Sequence, residues 1–422
     1  MTPHTLMHRM VAAAPRSPVT HVLGSFLQLS AQTAQIMLVG HLFGPGTVGT
    51  YGYCLALITP LVLLANWHVR HARVMDGSGR FAWSAYAHLR GFSLVAVVPL
   101  LAVGLVLPGL AGFAPLYLAL ALQRLTEMWF DLPYSVHQRS GEIGRIGIGV
   151  GLRGCLGVLA FMAVLIGIHH LAVAVLAQAA VSWCWWVMLE RPALMRGLQA
   201  EAPAGRSETS PWLLFLQLWP LGVTVALGSL VAVFPRIALA ERHGLAEAGR
   251  FILLGYLFIP AILVQTAVQQ MMAPRLADAA AACDGRRVFS LLMRLTTLQI
   301  LMQMMVALAI VGTQQWVGLS WLAPGFSVGG SELAWFTLGQ CAAIVLNSVG
   351  LAMDAYGRYR AKLFFWLALT VLGTVLTWWL ATRGIAGVSV AAVVISLSGG
   401  MVAVLWFGRF PSRRQDGSRD HG

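Results

Sequence analysis

The chain has 422 residues, 58% of them hydrophobic and only 10% charged, with a mean hydropathy of +0.75 and a net charge of +13. Soluble domains carry about a quarter charged residues, so this composition cannot clothe a water-facing surface, and it excludes disorder as well. A transmembrane helix needs about 20 mostly apolar residues to cross roughly 30 Å of hydrocarbon. That ruler predicts twelve spans, at 18–42, 47–67, 91–110, 113–133, 146–167, 170–189, 212–234, 249–272, 291–313, 333–352, 363–382 and 385–407. The weak alternating ten-residue segments of a membrane β-barrel are not seen. The expected fold class is an all-α polytopic membrane protein.

In chain order, span one carries Ser25, Gln28, Gln32 and Gln35 within one helical face, a polar stripe on an apolar helix. Such amides either tie neighbouring helices together or line an aqueous cavity. Span two follows a short turn and holds Pro60. Span four carries Gln123, Arg124, Glu127 and Asp131, and at 100° per residue the three charges share a face. Charges at bilayer depth are costly and normally face a bundle interior or a wet cavity. Two readings stay open here: an Arg124–Glu127 pair that cross-links helices, or a solute or proton site in which Glu127 and Asp131 hold Arg124. Arg124 is the one cation read at mid-depth.

His169 and His170 at the next turn are adjacent and do not face together on a helix. Trp183, Trp185 and Trp186 at one membrane face, and Trp316, Trp321, Trp378 and Trp379 at the other, read as interfacial belts. Residues 191–211, with Pro192, Pro203, Gly205, Ser207, Ser210 and Pro211, read as a linker between two sets of six spans. A repeat supports that division at an offset of 200: Gly44 matches Gly244, Gly49 Gly249, Tyr51 Phe251, Leu57 Leu257, Pro60 Pro260 and Leu63 Leu263. Six spans per half insert both halves the same way up. A pseudo-two-fold axis along the membrane normal follows, with a solute site between the halves and a kink shared by Pro60 and Pro260. In the second half Arg236 and Arg250 flank the repeated turn, where they either attract phosphate or snorkel to the interface. Gln265 and Gln269, then Gln299 and Gln303, repeat the i,i+4 amide spacing.

The expected domains are a six-helix region at 1–190, the linker at 191–211, a second six-helix region at 212–407 and a basic tail at 408–422. With the N-terminus in the cytoplasm, 23 of the 28 Lys and Arg fall on cytoplasmic segments and four on the far side. That is the positive-inside bias. It places both termini in the cytoplasm of a bacterial inner membrane, and it explains the net charge by anionic lipid headgroups and not by nucleic acid. No cleavable signal peptide is expected. The five cysteines show neither zinc-like spacing nor a disulfide framework.

No catalytic constellation appears. GxxxxGK[ST] and HExxH are both missing from the sequence, and the far-side loops are short. A transporter without cofactor or metal is therefore expected, and an enzyme is not. The segment EMWFDLPYSVHQRSGEIGRIGIGVGLRG at 127–154 resembles the span-four to span-five region of Wzx-type polysaccharide flippases, members of the multidrug/oligosaccharidyl-lipid/polysaccharide exporter (MOP) superfamily. The matching pieces are Asp131, the Gln138–Arg139 turn and the Arg153–Gly154 pair. FGPGTVGTYGYCLALITPL at 43–61 is similar to that family's first inter-span junction, and MDAYGRYRAK at 353–362 to its junction before span eleven.

The resemblance implies flipping of an undecaprenyl-diphosphate-linked oligosaccharide to the periplasmic leaflet. Its partners would be that lipid, membrane lipids, a polysaccharide polymerase and other assembly proteins. The candidate substrate-binding residues are Arg124, Glu127, Asp131, Gln28, Gln32, Gln35, Arg236, Arg250, Gln265 and Gln269. The competing readings are an ion-coupled multidrug exporter of the same superfamily, which the lack of an acidic residue on span one disfavours, and a membrane-embedded glycan-modifying enzyme. A major-facilitator transporter also has six plus six spans, but VRHARVMDGSGR at 69–80 only loosely imitates its basic loop.

Overall fold

A computed structural model describes residues 18–76, 80–106, 111–200, 209–282, 284–320, 322–324, 326–356 and 358–407. Cys283, Trp321, residues 201–208 of the expected linker and the 408–422 tail lie outside these residues. The described elements are helices: α1 Pro18–Asn66, α2 Val69–Met75, α3 Trp83–Gly104, α4 Ala114–Arg139, α5 Ile143–Ile168, α6 Leu171–Trp185 and α7 Arg191–Ala200. They continue with α8 Pro211–His243, α9 Leu245–Leu257, α10 Ile259–Ala281, α11 Gly285–Trp316, α12 Gly330–Ala355, α13 Tyr359–Leu380 and α14 Gly384–Phe407.

Among the described residues eight stretches are long and apolar enough to cross a membrane, or nine with α9 and the start of α10 taken as one bent span. Twelve crossings follow from three details. The 49 residues of α1 are two arms, because Gly44 breaks the helix at φ 77°, ψ 175°. The stretch Arg360–Val402 holds both α13 and α14. Finally, α4 has span length, but Arg124, Glu127 and Asp131 lower its hydropathy.

The offset-200 repeat reappears in the backbone. Gly244, between α8 and α9, takes φ 88°, ψ 171°, nearly the angles of Gly44 and a region open almost only to glycine. Just beyond each turn the two chains touch. A methyl group on Gly49 would strike the Leu245 carbonyl oxygen, and one on Gly249 would strike the Pro45 carbonyl oxygen. Contacts 49 to 245 and 249 to 45 are each other's image under a local two-fold, so a pseudo-symmetry axis passes between these glycines. The second arm of α1 continues through Pro60, whereas its counterpart bends by 48° at Phe258, just before Pro260. Proline is tolerated inside a span when neighbours satisfy the freed carbonyl.

The chain forms two compact units. Unit one comprises Met1–Ile259 with Leu319–Phe326, and unit two Pro260–Gly318 with Ser327–Gly422. This cut falls inside span eight and not at the 191–211 segment, of which the first ten residues are α7, joined to α6 through a π-turn at Trp186–Glu190. In unit one the first arm of α1 packs along a glycine face of α5. Gly24 meets Gly147 and Gly151, and Gln28 covers Gly154. Small residues at every fourth position let two membrane helices approach closely. In unit two, α14 lies close to α12 and α13 at Gly399, which touches Leu346 and Leu369.

Candidate functional site

Several cationic residues of unit one lie inside its helices. On α4, Arg124 lies ten residues from Ala114, about 15 Å along the axis. It donates to Glu127 at 2.6 Å, one turn away. Arg236 lies seven residues before the end of α8, about 10 Å deep, within electrostatic reach of Arg124 and of Tyr256 on α9. Tyr51, on the second arm of α1, also reaches Arg124. The structure thus brings together Arg124, Glu127 and Arg236, with two tyrosines that sequence reading did not select. Arg250, one turn along α9, pairs with Glu247 at 2.9 Å.

Two arginines, Arg124 and Arg236, face one carboxylate here, and their Nε–H groups are buried without an acceptor. About a third of the Arg124 side chain, 34%, stays accessible even though protein surrounds it deeply. Chemically, the group can hold an anion and present phenol hydroxyls to it.

Asp131 does not join this group. It accepts from Arg70 at 3.3 Å and lies 3.7 Å from Arg90, nearer the other end of α4. Sharing a helix face was not enough, because arginines from α2 and α3 reach Asp131 first.

The span-one stripe divides similarly. Gln35 is 2% exposed and exchanges hydrogen bonds of 3.2 Å with Gln178 of α6, so it joins helices instead of facing water. Gln28 lies on the α5 glycines, and Gln32 is half-buried. In unit two, Gln265 donates to the Gln299 carbonyl at 3.2 Å and to Gln303 at 3.0 Å. All three side chains are buried, which makes this group an interhelical tie. Gln269 is half-buried on α10.

Two further sequence readings are corrected. Trp185 and Trp186 are buried among protein side chains and do not line the protein's outer surface. The Trp185 indole donates to Glu190 at 3.1 Å, and Trp186 stacks on Phe130 at 5.3 Å between ring centroids. Arg124 is not the only cation at depth. Arg153, assigned by sequence to a cytoplasmic segment, lies ten residues into α5, 8% exposed, with its guanidinium 5.2 Å from the Phe130 ring. Arg90, likewise assigned to a loop, lies within α3 at 1% exposure. Both could have been found from their place inside long apolar runs. Among the described residues no three His, Cys, Asp or Glu side chains converge as a metal site would require.

The arrangement of helices has known counterparts. An outward-facing multidrug-resistance MATE-family transporter of the MOP superfamily superposes with a TM-score of 0.64 at 14% identity, over 93% of this chain and 94% of that one. The Vibrio cholerae MATE transporter VcmN gives 0.64 at 14% identity, over 97% of this chain and 98% of that one. The chain has the MOP-transporter fold. A MOP-superfamily transporter from Pyrococcus furiosus, described by the reverse polarity of its binding pocket, matches at 0.60 with 13% identity over 93% of this chain and 94% of that one. By sequence, the capsular polysaccharide biosynthesis protein CapF of Staphylococcus aureus is 22% identical over 242 residues, which is 57% of this chain. The match spans only 60% of CapF's length. No family model matches the chain.

Proposed function

We propose that this protein is a bacterial inner-membrane transporter that flips a lipid-linked oligosaccharide, carried on undecaprenyl diphosphate, from the cytoplasmic to the periplasmic leaflet by alternating access. The observation that carries this reading is the excess of arginine over carboxylate at depth in unit one. Arg124 and Arg236 keep unused N–H donors there, and a diphosphate supplies acceptor oxygens for them. The similarity to CapF, a capsular polysaccharide biosynthesis protein, supports a role in polysaccharide assembly. Drug export by cation exchange fits less well. The first arm of α1 carries no acidic residue, and Glu127 is already bound to Arg124.

A diphosphate carries about two negative charges, and each is worth about 2.3 kcal/mol per 100 mV. With the cytoplasm negative, the field favours outward movement, while the dielectric barrier remains. Arginines part-way through the membrane lower that barrier. A polysaccharide polymerase and other assembly proteins would take up the product.

The test uses cells lacking the protein together with purified protein in vesicles. Lipid-linked repeat units should accumulate on the cytoplasmic leaflet of the cells, and the vesicles should flip a labelled lipid-diphosphate saccharide. Export of cationic dyes with no flipping would replace this reading by the multidrug one.

A further inference from the structure

Unit one holds a second group of arginines that the site above does not use. Arg70 donates to Asp131 and to Gln138, the latter at 3.2 Å, and its guanidinium lies 5.5 Å from the centre of the Tyr134 ring. Arg90 donates to Asn66 at 2.8 Å and lies 3.7 Å from the other Asp131 oxygen. Arg153 approaches the same Tyr134 ring to 5.9 Å. Glu190, the other carboxylate in reach of Tyr134, is held by the Trp185 indole. Arg90 Nε and Nη1, Arg153 Nη1 and the Tyr134 hydroxyl are all buried without an acceptor. Arg90 and Arg153 are more than nine-tenths buried. Buried guanidinium donors normally find partners. Among the described residues Asp131 is the one carboxylate paired with Arg70 and Arg90, beside the neutral acceptors Gln138 and Asn66.

We infer that this cluster is a loading site for a diphosphate headgroup, and that Asp131 occupies the anion's place until the headgroup displaces it. The inference rests on the proposed substrate class. A carboxylate offers two oxygens and one charge, whereas a diphosphate offers more of both and can answer the donors that Asp131 leaves over. Exchange can begin at an open edge, because Arg70 and Asp131 keep 26% and 28% of their side chains accessible. Asp131 follows Arg124 by seven residues on α4, about 10 Å along the axis and on nearly the same face. A headgroup leaving this loading site would therefore meet Arg124 along the same helix.

The test measures binding of inorganic diphosphate to the full-length protein in nanodiscs by calorimetry. Asp131→Asn should bind at least about tenfold more tightly than wild type, since 1.4 kcal/mol of removed competition is a factor of ten. Adding Arg70→Gln should abolish that gain, and adding Arg124→Ala should leave it. If Asp131→Asn does not accumulate as folded protein, Asp131→Ser carries the same expectation. If neither folds, Arg70→Gln in the wild-type background should weaken diphosphate binding, and unchanged binding there would refute the site. No gain in the Asp131 variants, or a gain lost with Arg124→Ala but kept with Arg70→Gln, overturns the inference. Equal tightening toward sulfate does so too, because the cluster would then be an unspecific cationic patch. Undecaprenyl diphosphate in the nanodisc should compete with the inorganic ion, and failure to compete removes the headgroup assignment. A vesicle assay that shows no flipping while these binding results hold would strike the proposed function and leave the anion site standing.

Discussion

Adding one methyl group at Gly49 or at Gly249 tests the local two-fold directly. In each case the new carbon falls on a backbone carbonyl oxygen, of Leu245 for the first and of Pro45 for the second. A carbonyl cannot rotate away as a side chain can, so the second arm of α1 and α9 must separate. Overpacking of this kind costs about 1–3 kcal/mol, against which the helix preference of alanine over glycine returns up to about 1 kcal/mol. Gly49→Ala and Gly249→Ala should each lose on the order of 1–2 kcal/mol, and by nearly equal amounts, because their surroundings are images of each other. The double variant should lose clearly less than the sum, since a separation that admits one methyl admits the other. The reference is Gly91→Ala on α3, where an added methyl meets nothing within 4 Å. Thermal unfolding of the purified protein in one detergent compares all four variants. Single variants that melt like Gly91→Ala, or a double variant that is strictly additive, would refute the reciprocal contact.

Further outcomes follow from the polar groups. Arg124→Ala should abolish flipping with protein levels near normal, because Glu127, left alone, keeps 29% of its side chain accessible. If instead the Arg124→Leu, Glu127→Leu double variant flips like wild type, the pair is only a helix clip. Gln35→Leu should destabilise by about 1–3 kcal/mol by stranding Gln178, and adding Gln178→Leu should recover most of that loss, as read by thermal unfolding. A cysteine at Gln35 should resist a hydrophilic thiol reagent, since the site is 2% exposed. Ready labelling there would restore the water-facing stripe. Reporter fusions at residue 200 and at the C-terminus should both read cytoplasmic, and a periplasmic signal at residue 200 would break the topology.

The sequence by itself determined the solvent and the architecture. Twelve apolar runs in a chain with 10% charge admit only membrane helices, because every backbone group must be satisfied within its own segment. The 200-residue repeat was also legible, since glycine is conspicuous where the backbone needs a positive φ, as at Gly44 and Gly244. Partner choice was not legible. Helical spacing placed Arg124, Glu127 and Asp131 on one face, yet Asp131 went to Arg70 and Arg90, which come from other helices. The same limit applied to Gln35 and Gln265, whose partners lie 143 and 38 residues away. Periodicity fixes which way a side chain leaves its own helix. Whether it then meets lipid, water or another side chain is decided by the helices that pack opposite, and only the tertiary structure brings those together.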